Sequence, residues 1–219
     1  MVSAGYAQPK AKSRPKSAKI KVSAKPAAKS LIDPGTVSGK TYRNQTLKFE
    51  VTFPDTWLIP GSDFEEYMKS QGFDLSLKAP ASVGPVTQMQ MNNALKKVAI
   101  LLTVYRSMPG SEENAIMRIS VEDLKTLPQV KDAVDYFDLM RSQFKAMKLP
   151  ADFKYSETQA EKLSLKQFAF LDTSNASGKK RMYATVKNGQ AILFTLSYNS
   201  DNDLQTMRQI LAEGNFALR

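Results

Sequence analysis

Three sets of residues have types and spacings that chemistry could use. Met89-Gln90-Met91 has the M-x-M spacing open to a soft Cu(I) ion, with Met68 and Met108 as further thioethers. The acidic pairs Glu65/Glu66, Glu112/Glu113 and Asp201/Asp203 offer the two carboxylates that glycoside hydrolysis needs. Ser177 and Lys180 have the S-x-x-K spacing of a nucleophile and base that work without histidine. Each set also has a plainer reading. Alternating methionines on a strand fill cores. Adjacent acids point apart, and Asp201 and Asp203 suit a first helical turn, where the dipole favours negative charge. Ser177 and Lys180 fall in the polar stretch Asp172 to Arg181, which reads as a turn. The chain contains no His and no Cys, which removes Ser-His-Asp and Cys-His mechanisms, thiolate chemistry and zinc-thiolate sites together. The expectation is a non-enzyme with no catalytic, cofactor-binding or metal-ligating residues and no cofactor.

A fourth pattern fails on its context. Gly35-Thr36-Val37-Ser38-Gly39-Lys40-Thr41 is one residue short of the phosphate-binding G-x-x-x-x-G-K-[ST] loop, and Pro34 stands where the first glycine is required. A buried strand must precede such a loop and a helix must follow it. Here a polar stretch precedes it and the alternating Leu47-Lys48-Phe49-Glu50-Val51-Thr52-Phe53 follows. The segment reads as a loop leading into the domain.

The charge sits at one end. Lys10, Lys12, Arg14, Lys16, Lys19, Lys21, Lys25 and Lys29 are eight of the 31 basic residues, and none of the 21 acidic residues lies among residues 1 to 30. The rest of the chain is left with 23 basic against 21 acidic residues, so the formal charge of +10 describes an appendage. Residues 1 to 38 read as a disordered basic tail, too poor in apolar surface to offset the entropy of ordering it. Its eight cations are a candidate anion-binding site, suited to polyanions or an anionic surface in a salt-dependent, sequence-blind way. A solubilising spacer is the other reading. With no aromatic residue between Ala7 and Thr41, base stacking is excluded and sequence-specific nucleic-acid binding is not expected. Gly5 and Ala7 ahead of Gln8 match the small-residue end of a secretory leader. Read as the remnant of a leader, the tail becomes an extracytoplasmic spacer and the protein periplasmic or secreted. Read as an ordinary beginning, it leaves the protein cytoplasmic.

Residues 39 to 219 fit one domain, long enough to bury roughly 70 % of its unfolded surface. No apolar run approaches the ~18 residues of a membrane span. Leu47, Phe49, Val51 and Phe53 alternate as a half-buried strand that ends at Pro54. Tyr42 and Trp57, amphipathic aromatics beside that strand, are a candidate interaction platform, with burial as the alternative. Ser62 to Gln71 reads as a short helix, Phe73, Leu75 and Leu77 as a strand, and Ala79 to Val86 as a loop. Val98 to Tyr105 is apolar on both faces, the pattern of a central strand covered from both sides. Ala115 to Val121 alternates as a further strand, and Val130 to Met147 carries the strongest helical spacing, with Pro128 suited to its first turn. After a strand around Phe168 to Phe170, Asn188-Gly189 between two apolar runs signals a two-residue hairpin. Ser200, three residues before Asp203, caps a helix that ends at Gly214, and Phe216 is placed to pack back. The sum is an α+β domain, an antiparallel sheet sandwiched by helices, with no internal repeat.

The order of these elements resembles the PsbP-like/Mog1-like superfamily. Tyr42-Arg43-Asn44 and the strand into Phe53-Pro54-Asp55-Thr56-Trp57 resemble its opening, where a strand runs into a Pro-x-x-Trp turn. Arg181-Met182-Tyr183-Ala184, the Asn188-Gly189 hairpin, Leu193-Phe194-Thr195-Leu196 and the helix Leu204 to Leu211 with Phe216 resemble its closing unit. The likeness covers residues 41 to 218 and implies an α/β/α sandwich. It further implies a mainly non-enzymatic role, since the family holds photosystem accessory subunits, a Ran-binding protein and many exported bacterial proteins. No binding residue transfers, and the histidines that hold metal in photosystem members are absent. A non-catalytic, extracytoplasmic binding or accessory module, with a protein partner or an anionic surface as its target, is the leading expectation. An intracellular polyanion or nucleic-acid binder acting through the tail is the alternative.

Overall fold

Period-two alternation decides how the main sheet is faced. In the computed structural model, which describes residues 32–79, 83–111 and 114–218, Met117, Ile119 and Val121 of β5 (Ile116–Asp123) are fully buried on one side, while Arg118, Ser120 and Glu122 face the other. The strands before it in the chain are β1 (Thr36–Ser38), β2 (Thr41–Asn44), β3 (Phe49–Thr52) and β4 (Val98–Tyr105). Those after it are β6 (Lys154–Tyr155), β7 (Gln159–Leu163), β8 (Lys166–Asn175), β9 (Gly178–Lys187) and β10 (Gln190–Tyr198). The helices are α1 (Phe64–Ser70), α2 (Pro85–Leu95), α3 (Ala133–Ala146) and α4 (Asp201–Glu213). The large sheet runs β4-β5-β10-β9-β8-β6, with β7 also on β8, and every pairing in it is antiparallel.

Each strand feeds two cores. Phe168, Tyr183, Phe194 and Leu196 point to the face covered by α4 and by the small sheet β1-β2-β3. Their neighbours Ala169, Ala184 and Leu193 point to the face covered by α3 through Tyr136 and Phe137. This is the expected α+β fold, an antiparallel sheet with helices on both faces. The hairpin expected at Asn188-Gly189 joins β9 to β10, with both residues at positive φ (52° and 72°), as a type I′ turn requires. Ser200 caps α4 by accepting from Asp203 N–H. Phe216 folds back onto Phe168, with ring centroids 5.2 Å apart in an edge-on arrangement, and onto Phe194.

Several expectations are corrected. The strand expected at Phe73, Leu75 and Leu77 is irregular, and Phe73 and Leu77 stay exposed. Part of the expected loop from Ala79 to Val86, together with Gln88 and the Met89-Gln90-Met91 run, is helical: Pro85 starts α2 at a position where its missing N–H has no intrahelical partner to lose. β4 is an edge strand, not a central one. A bulge between Ile100 and Leu102 breaks its alternation, so Leu101 and Leu102 both pack on the α4-side core, and an edge strand reads as apolar throughout. α3 starts at Ala133 after Asp132, whose carboxylate accepts from Val134 and Asp135 N–H, and Pro128 lies ahead of it. Asp172 to Arg181 is mostly strand, with only a short turn between β8 and β9.

The expected boundary between residues 38 and 39 falls after β1, which is paired into the small sheet. Asn44 donates to the Asp33 carbonyl at 2.8 Å and the Tyr42 hydroxyl donates to the Pro34 carbonyl at 2.8 Å, so the compact unit begins at Ile32. Gly35 is required there: at φ +73°, an added Cβ would lie 2.5 Å from the Tyr42 hydroxyl oxygen.

Candidate ligand-binding groove

Most of the residues singled out for chemistry are dispersed by the fold. Met89 and Met91 are two residues apart on a helix, hence roughly 160° apart around its axis. Met89 is exposed, Met91 is half-buried, Met68 is buried in α1 and Met108 is exposed in a loop. Glu65 and Glu66 are exposed on α1, Glu112/Glu113 lie outside the described residues, and Asp203 is buried with its carboxylate 3.3 Å from Arg106. Among the described residues no group of three acidic side chains gathers as a metal site. Gly35 to Thr41 forms the β1–β2 hairpin, and the Lys40 amine donates to the Trp57 carbonyl, so nothing there cradles a phosphate. The tail cations from Lys10 to Lys29 lie outside the described residues.

Tyr42 and Trp57 are not an exposed platform. Both are buried, at 1 % and 2 % exposure, because the alternation that buries Phe49 and Phe53 carries Tyr42 inward on the paired strand and stacks Trp57 on Phe53. Ser177 sits in the turn after β8, its N–H donating to the Asn175 side chain, while Lys180 is carried onto β9. No hydrogen bond joins the two. Lys180 instead lines a concavity on the other side of its strand.

That concavity is a groove of about 340 Å³ between α2, α3 and the sheet. Its walls are mainly apolar: Met91 and Leu95 from α2, Met140, Phe144 and Met147 from α3, and Met182 from the sheet. Helical spacing accounts for the α2 wall, since Thr87, Met91 and Leu95 recur every fourth residue on its sheet-facing side while Val86 and Met89 face solvent. α3 presents Tyr136, Met140 and Phe144 in the same way. Methionine-rich walls of this kind adapt to differently shaped apolar ligands.

The two ends of the groove differ in charge. At one end Glu122 accepts from the Tyr136 hydroxyl at 2.7 Å, and burial, together with that carboxylate, pushes the Tyr136 phenol well above its ordinary pKa. At the other end stands Lys180, an exposed residue whose amine is pushed down by desolvation and further by the charge of Arg118. Arg118 is itself half-buried on the same face of the sheet, and burial lowers its pKa against the opposing pull of Tyr105 and Glu65. Neither cation has a carboxylate within ion-pair distance among the described residues. From the sequence alone, Lys180 stands out only as a partner for Ser177. Arg118 shares the polar face of β5 with Ser120 and Glu122, so nothing in the sequence sets it apart.

The fold and groove define an α+β sandwich with an amphipathic cleft beside α2. No family model matches the chain, and no curated protein matches it. Among solved structures the chain is similar to the solution structure of cyanobacterial PsbP (CyanoP) from Synechocystis sp. PCC 6803, at 14 % identity, with 83 % of this chain and 97 % of that one covered and a TM-score of 0.44. Among the described residues no helix is long and apolar enough to cross a membrane.

Proposed function

We propose that the protein is a non-catalytic, extracytoplasmic binding module whose binding site is the groove between α2 and α3. The groove carries the reading: apolar side chains half-open to water, walled by a helix that buries little of itself, form a concave surface of the size small ligands occupy. The neutral fluorophore N-phenyl-1-naphthylamine should brighten on binding and lose that response in Met182→Trp or Met140→Trp, which fill the cleft. An unresponsive wild-type protein overturns the reading. Gly5 and Ala7 ahead of Gln8 motivate the extracytoplasmic half. Protein recovered from its native source should lie outside the cytoplasm and begin at Gln8, and recovery from the cytoplasm with residues 1 to 7 intact contradicts it.

The eight unopposed cations of residues 1 to 30 favour a second role, a tether to polyanions. If all eight met phosphates on a duplex, the log–log salt dependence of affinity would approach a slope of about −7. Polyanion binding that survives deletion of residues 1 to 31 excludes this role.

A further inference from the structure

We propose that the groove holds a single-chain amphipath with an anionic head, and that the head sits over β10 between Lys180 and Arg118. The proposal rests on the groove being the binding site and names the chemistry of what it takes.

Strand register places the two cations. Arg118 of β5 lies opposite Thr195 of β10, and Lys180 of β9 lies opposite Ser197 of β10. Thr195 and Ser197 are two residues apart, so they share one face of the sheet, and both are half-exposed. The cations therefore flank a strip of two hydroxyls on the sheet face that also carries Met182 and Glu122 of the groove. Neither cation has a carboxylate within ion-pair distance among the described residues, and Glu65 acts on Arg118 only from further off, so the repulsion between the two like charges is a cost that an anion between them would offset. The lowered pKa directions of Lys180 and Arg118 agree with this account.

The other end fixes the polarity of the ligand. Glu122 pairs with Ala191, six residues along β10 from Ser197, which is about 20 Å at the antiparallel rise. A head group at that end would meet a carboxylate. A chain running from Lys180 toward Tyr136 instead passes Met182, Met140 and Leu139, all apolar. Lys97 also lines the groove, next to Val98, which pairs with Glu122, so it is the control cation at the acidic end.

The test is calorimetric titration of the full chain with decanoate and with decanol. Decanoate should bind, and Lys180→Gln and Arg118→Gln should each weaken it by about tenfold, the scale of a lost charge-assisted hydrogen bond. Lys97→Gln should leave decanoate affinity within about twofold of wild type, and decanol affinity should be equally insensitive to all three substitutions. The basic tail is common to every variant, so its own attraction for carboxylates cancels in these ratios. Decanol binding without decanoate binding, or decanoate binding indifferent to Lys180→Gln, overturns the anionic head and leaves the groove standing as an apolar site. Failure of both ligands removes the groove itself. Lys180 is an exposed strand residue, so Lys180→Gln gives a folded variant on which the outcome turns even if Arg118→Gln proves unstable.

Discussion

At the residue scale, one polar network ties the sheet to α4. Arg181 of β9 forks onto Asp172 of β8, with Nε and Nη2 at 2.7 and 2.6 Å from the two carboxylate oxygens, and its guanidinium lies 4.2 Å from the Phe170 ring centroid. Tyr183 donates to Glu161 at 2.5 Å, and the other Glu161 oxygen accepts from Arg208 of α4. Arg181→Met keeps the aliphatic packing but strands Asp172, and should cost about 1–3 kcal/mol in urea unfolding. A loss below measurement error would show that water takes over the Asp172 carboxylate. The network also has an alkaline signature. Burial, with Glu161 as a hydrogen-bond acceptor, raises the Tyr183 phenol to about 12. Because the folded value lies above the unfolded one near 10, the contribution of Tyr183 is complete below pH 10 and is lost as pH rises through 12. Tyr183→Phe should therefore flatten the fall of stability between pH 10 and 12, and an unchanged slope would assign that fall to other groups.

At the element scale, α2 is the weakly held piece. It buries only Thr87, whereas α3 buries Tyr136 and Phe137 and α4 buries Met207, Ile210 and Leu211. Little apolar burial means a low free energy of local opening. Native-state hydrogen exchange should find α2 amides at least about tenfold less protected than those of α3, and equal protection would mean that α2 opens only with the whole domain. The same contrast explains what the sequence revealed. α3 announces itself through a wide apolar stripe. The Asn188-Gly189 hairpin and the Ser200 cap are legible because their determinants lie within four residues of each other. α2 lacks that stripe, its apolar face being one residue wide, and it follows a stretch rich in Pro, Gly and Ala that reads as loop. β4 misleads for a different reason: one bulge turns two neighbouring leucines to the same core. The groove is built from α2, α3 and the β8–β9 corner, segments far apart in the chain, so no local pattern could announce it.

At the scale of the whole molecule, the question is where the folded body starts. Composition places the change at residue 38, because the chain is polar up to that point. Hydrogen bonding places it earlier, since Asp33 accepts from Gly35 N–H and from the Thr46 hydroxyl, and its carbonyl and that of Pro34 satisfy the buried Asn44 and Tyr42 side chains. Two truncations separate these views. Deleting residues 1 to 31 should leave the melting temperature within about 2 °C of the full chain, because it removes none of these acceptors. Deleting residues 1 to 38 removes β1 and leaves the Asn44 amide and the Tyr42 hydroxyl buried without those carbonyls, a penalty of about 1–3 kcal/mol for each group. At roughly 2–4 °C per kcal/mol for a domain of this size, the melting temperature should fall by about 4–24 °C. Trp57 provides the readout, since it is the only tryptophan, is 2 % exposed and stacks on Phe53 behind the same small sheet. Its emission should be blue-shifted and shielded from acrylamide in the shorter truncation, and red-shifted at a lower temperature in the longer one. Equal melting of the two truncations would mean that the body starts at residue 39 after all, with Asp33 and Pro34 only resting against it.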